Sequence, residues 1–82
     1  MEILDFYADW CGPCQMMKPT MEEFEKAHPE IQVTAVNIDE QEELAEKYEV
    51  SSIPCIVVLK DGEEVRRAVG VQSLKKLEKL VA

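Results

Sequence analysis

Residues 5–19 read DFYADWCGPCQMMKP. An apolar stretch, EILDFY at 2–7, leads to two cysteines separated by Gly and Pro, and a helical pattern begins directly after them. A pair of thiols at a strand-to-helix turn restricts the possible architectures of a short chain more than any other feature here. The stretch before the turn is apolar enough to be a strand buried on both faces. After it, Cys14, Met17, Met21 and Phe24 step by three, four and three, the inward stripe of a helix. Pro19 falls inside that helix and predicts a kink, because it lacks a backbone donor and crowds the preceding turn. Pro29 helps to end it.

The rest of the chain alternates in the same way. IQVTAVNI at 31–38 reads as a second strand. Asp39 and Glu42 have the spacing of a capping box and predict a short helix that turns Leu44, Ala45 and Tyr48 inward. CIVVL at 55–59 is a strongly apolar strand, and Asp61-Gly62 is a two-residue hairpin turn leading into EEVRRAV, whose charges suit an edge strand. Ser73 caps a last helix with Leu74, Leu77 and Val81 on its buried face. The order is β-α-β-α-β-β-α, with the first two strands parallel and the last two an antiparallel hairpin.

Eighty-two residues suffice for one domain, residues 1–82, and no linker or repeat divides it. The net charge of −8 argues against nucleic acid, whose phosphates reward clustered Lys and Arg, and keeps a small monomer from self-associating. No apolar run approaches the length of a membrane span, and MEILDFY already reads as a strand rather than a charged leader. Three cysteines, an odd number, fit poorly with an exported disulfide framework, so a reducing cytoplasm is expected.

A Cys11–Cys14 disulfide closes too small a loop to staple a fold; its value is chemical. The nucleophile in disulfide exchange is a thiolate, and a helix start stabilises one through free N–H groups and the positive end of the dipole. Pro13 suits the first turn, where a missing N–H costs little. Cys11 is expected at the exposed end as the attacking thiol. Cys14, in the inward row, resolves the mixed disulfide. Burial keeps a resolving thiol protonated, so a base is needed. Asp5, a carboxylate in an otherwise apolar strand with no cation beside it, is the candidate, its own pKa raised by burial.

With WCGPC at 10–14 preceded by DFYA, the chain resembles the thioredoxin family, and agreement continues through Pro19, NID at 37–39, SIP at 52–54, KDG at 60–62 and Gly70. The size is similar to small archaeal redox proteins and close to glutaredoxin. The resemblance implies an α/β thioredoxin fold: a four-stranded mixed sheet, order 2-1-3-4, with three helices. It implies protein disulfides as substrates, a reductase-type electron donor and no bound cofactor. Ile53-Pro54 resembles the cis-proline loop that faces the cysteines, where the Ile53 backbone pairs with an extended substrate. Trp10, Gly12, Pro13, Gly70 and Val71 resemble the apolar surface on which such proteins dock, with Gly70 keeping room for another backbone.

The chain departs from the family pattern in three places. The first strand and helix of an ordinary member are missing. Ala35 stands where a Lys usually faces the buried Asp, which makes Asp5 harder to ionise. Cys55 follows the cis-proline where Thr is usual; it is either a small core residue or a third thiol near the active pair. Besides a partner-docking module whose cysteines are incidental, two alternatives remain. One is glutathione-dependent activity, for which the turn near the last helix, VGVQS, is a poor match. The other is a metal or iron-sulfur site built on C-x-x-C, with Cys55 and His28 as further ligands. His28 lies fourteen residues beyond Cys14, about 20 Å along a helix, where its place is the C-terminal turn.

Overall fold

A computed structural model describes residues 1–82. Seven elements follow the predicted order: β1 (Glu2–Tyr7), α1 (Gly12–Ala27), β2 (Gln32–Asn37), α2 (Glu42–Lys47), β3 (Cys55–Lys60), β4 (Glu63–Val69) and α3 (Leu74–Leu80). The strands form one mixed sheet in the order β2-β1-β3-β4. β1 pairs parallel with β2 and antiparallel with β3, and β3 and β4 form the hairpin. A parallel pair needs a long crossover, which the sixteen residues of α1 supply.

Alternation along the central strands sends side chains to two faces. On one, Ile3, Ile56 and Val58 meet Met17, Met21 and Phe24 of α1 and Leu77 of α3, with Leu74, Leu80 and Val81 packed at the margin. On the other, Leu4, Phe6, Val36, Cys55, Val57 and Leu59 are covered by Leu44, Ala45 and Tyr48 of the α2 segment. Phe6 and Phe24, both 0% exposed, anchor the two sides. Burial of one such ring contributes roughly 2–3 kcal/mol.

Pro19 lies inside α1, which runs on to Ala27. Asp61 and Gly62 both have positive φ, 53° and 83°, the backbone of a two-residue hairpin turn. The predicted capping box is not formed. α2 begins after Gln41, with no side-chain cap, because the chain first turns on Asn37. The Asn37 side chain accepts the Asp39 N–H at 2.9 Å, and its carbonyl accepts those of Glu40 and Gln41. The Asp39 carboxylate points elsewhere, toward Trp10.

Candidate active site

Cys11 is the N-cap of α1. Its backbone is extended (φ −86°, ψ 108°), and its Sγ accepts the N–H of Cys14 at 3.2 Å. One of the unpaired amides of the helix start is thereby aimed at sulfur, the arrangement that favours a thiolate. Pro13 occupies the first turn, and Cys11 and Cys14 are joined as a disulfide with Cα atoms 5.3 Å apart. The expectation of an exposed Cys11 is corrected: Cys11 is 5% exposed and Cys14 8%. Ala8, Tyr7, Ile38 and Ile53 pack around both. What separates the two is position on the helix, Cys11 at its mouth and Cys14 one turn deeper in the Met17–Met21 row.

The cis peptide bond lies at Ile53-Pro54. The Ile53 carbonyl oxygen is 3.9 Å from the Cys11 sulfur, and the Pro54 carbonyl accepts the Gly70 N–H at 2.8 Å. These contacts bring the loop before β3 and the turn after β4 up to the disulfide. Gly70 has φ +94°, which is what requires glycine; no neighbour within the chain crowds a Cβ there. Gly12, Pro13, Val71 and Trp10 are exposed, Trp10 by 69%. The Trp10 indole Nε1–H donates to Asp39 at 2.9 Å. That bond fixes a large exposed ring beside the cysteines. The sequence reading missed it because it assigned Asp39 to a helix cap.

Asp5 is half-buried on the α1 face of the sheet, opposite Ala35 in the β1–β2 register. It opens with Cys14 into a cavity of about 300 Å³. Burial, and secondarily the charge of Glu25, push its carboxyl up to about 6 from the ordinary 3.8. Lys18 and Glu25 line the same cavity; in the sequence Glu25 reads as part of a solvated helix face, and Lys18 is not singled out. The signal was present in the spacing, since both follow Cys14 along one row of α1.

Cys55 is 1% exposed and lies on the α2 face, across the sheet from α1. Burial raises its pKa, with Arg67 acting in the opposite sense. His28 is the C-cap of α1, but its ring does not bond helix carbonyls as expected. It bridges Glu78 of α3 at 2.9 Å and Glu30 at 3.4 Å. Cys11, Cys14, Cys55 and His28 do not converge, and no group of three metal-ligating side chains is assembled.

The Thioredoxin family model matches residues 1–82. The chain belongs to the thioredoxin family. It is 44% identical over 79 residues to a thioredoxin of Chlamydia pneumoniae, covering 96% of this chain and 78% of that one. Against a thioredoxin of Bacillus subtilis identity is 42% over 80 residues, covering 96% and 77%. Among solved structures, Fasciola hepatica thioredoxin superposes with a TM-score of 0.91 at 40% identity, covering 98% of this chain and 77% of that chain. The oxidised mitochondrial thioredoxin 3 of Saccharomyces cerevisiae gives 0.89 at 36%, covering 95% and 73%. The fold is the thioredoxin fold, and the protein is a thiol-disulfide oxidoreductase that cycles Cys11 and Cys14 between dithiol and disulfide. No helix is long and apolar enough to cross a membrane.

Proposed function

We propose that the protein reduces disulfides in other proteins as a cytoplasmic monomer, with Cys11 as nucleophile, Cys14 as resolving thiol and Asp5 as its base. The disulfide at the mouth of α1, with the Ile53 carbonyl 3.9 Å from Cys11, carries the reading. In the reduced protein the Cys11 thiolate attacks one sulfur of a substrate disulfide. A Cys11–substrate bond forms, the substrate bond breaks, and its first sulfur leaves as a thiolate. Asp5 takes the Cys14 proton. The Cys14 sulfur then attacks Cys11, the internal disulfide forms, and the second substrate sulfur leaves. Two electrons pass to the substrate, and Asp5 returns its proton to solvent through the cavity. A reductase-type donor restores the two electrons, and the cysteines themselves replace a bound cofactor.

The docking surface comprises Trp10, Gly12, Pro13, Gly70 and Val71. An extended substrate segment pairs with the Ile53 backbone beside Pro54, as an added strand would. Insulin reduction with dithiothreitol, then with candidate reductases and with glutathione, tests the reading. Turnover with dithiothreitol and a reductase is expected; turnover with glutathione alone overturns it.

A further inference from the structure

The cavity beside Cys14 is walled on one side by α1, and the helix geometry ranks the residues there. Glu25 is eleven residues beyond Cys14, three turns and only about 20° off its line. Glu22, eight residues beyond, is rotated by about 80°. Glu25 is therefore on the row that faces Asp5, at roughly 16 Å along the axis from Cys14, too far to touch either sulfur. The opposite wall offers no counter-charge. Val33 and Ala35 of β2 are uncharged, and Ala35 is the register partner of Asp5 itself.

We propose that Glu25 is a positioning residue for the redox cycle: its carboxylate, sharing the cavity with Asp5, sets the pH at which Asp5 ionises and so the pH at which Cys14 resolves the mixed disulfide. This rests on the reading of Asp5 as the base for Cys14. The cause is electrostatic. The Glu25 charge, on an exposed side chain lining the cavity into which half-buried Asp5 opens, disfavours the ionised form of Asp5, so Asp5 keeps its proton to higher pH. The raised carboxyl of Asp5, with burial as first cause and Glu25 as second, agrees with this. Other titratable groups also face Asp5. Tyr7 and Asp9 lie at the β1 end of the cavity, and Lys18 and Glu22 sit on α1. Cys55, behind the sheet, is held protonated by burial. Lys18 is the single cation among them; it and Glu25 are both exposed, and of the two it is the Glu25 charge that acts on Asp5.

The test uses the full chain in its oxidised state. The Asp5 carboxyl carbon is followed by NMR from pH 3 to 9 in the wild type, Glu25→Gln, Glu25→Asp and Glu22→Gln. Glu25→Gln is expected to move the Asp5 midpoint down from about 6 without reaching 3.8, since burial remains. Glu25→Asp, which keeps the charge, restores most of the shift, and Glu22→Gln leaves the midpoint in place. The release of a model peptide from its mixed disulfide with Cys11 is timed across the same pH range, and its rising limb moves down with the Asp5 midpoint. An unmoved midpoint in Glu25→Gln, or an equal shift in Glu22→Gln, overturns the inference. A moved midpoint with an unmoved rate limb also overturns it. In that case Asp5→Asn gives an unchanged profile, which places the failure in the role of Asp5 rather than in the Glu25–Asp5 coupling.

Discussion

The amide of Cys14 donates to the sulfur of Cys11 across 3.2 Å, so one turn of α1 both joins the redox pair and gives its two sulfurs different surroundings. A sulfur that caps a helix receives a hydrogen bond and the positive end of the dipole, which stabilise its anion. The sulfur one turn in receives neither. Its environment is instead the cavity it shares with Asp5.

Separate substitutions of the two cysteines are therefore expected to give different outcomes, as follows. Cys11→Ser reduces insulin no faster than the uncatalysed reaction. Cys14→Ser still attacks but cannot resolve, and accumulates a covalent complex with substrate. Non-reducing electrophoresis after mixing with an oxidised peptide distinguishes them. A Cys14→Ser variant with wild-type turnover contradicts this division of roles.

The position of Cys55 predicts chemical silence. It is buried on the face of the sheet opposite α1, and its pKa is raised by that burial. Only a thiolate reacts readily. The oxidised native protein is expected to show no thiol reactive toward an aromatic disulfide reagent within minutes, and one thiol after denaturation. Cys55→Thr is expected to leave turnover and reduction potential within error. A reactive native thiol, or a shifted potential, assigns Cys55 to the redox cycle.

Much of this architecture was legible because the relevant patterns are local. The stripe Cys14–Met17–Met21–Phe24, the apolar CIVVL run and the Asp61-Gly62 turn each encode one element through a short period or a single backbone requirement. The Asp5 environment was also legible, since a carboxylate in an apolar strand stands out. What sequence did not reveal depends on residues brought together by the fold. Asp39 has the spacing of a cap, yet Trp10, 29 residues away, takes its carboxylate. Cys11 looked exposed because it starts a helix, but Ile53 and Ile38 close over it from distant segments. His28 found Glu78, 50 residues away, instead of its own helix end.

That His28 contact gives a pH-dependent link between α1 and α3. Its hydrogen bond to Glu78, the largest cause, raises its pKa above the ordinary 6.5; burial opposes this to a lesser extent, and Glu30 adds to the rise. A raised folded-state pKa means that the folded protein binds the proton more tightly. The resulting stabilisation is complete below about 6.5 and is lost as pH rises through the folded value. Urea denaturation of the wild type and His28→Asn is expected to show a gap in midpoint at pH 5.5 that narrows by pH 8.5. A gap that is constant or widens excludes the ion pair as its source.

Asp5 is expected to give the opposite relation between stability and activity. Its folded pKa of about 6 exceeds the ordinary 3.8, so between these values the folded state holds a proton that the unfolded state has released. Stability therefore falls as pH rises from about 4 to about 6, and the ionised carboxylate remains a burden at pH 7. The shift corresponds to a cost of up to about 3 kcal/mol. Asp5→Asn removes that cost while keeping the shape, so the variant is expected to be more stable than wild type at pH 7 and equal to it near pH 3. On the proposed role of Asp5, the same change also removes the base for Cys14. Release from the mixed disulfide slows on the order of 10²-fold at pH 7, the usual contribution of a positioned proton acceptor. Denaturant titrations at the two pH values and single-turnover release measure both effects on one protein. A variant that gains stability but keeps wild-type release shows that the carboxylate is strained without serving the reaction. One that loses stability at pH 7 shows that Asp5 is not held in a desolvated site at all.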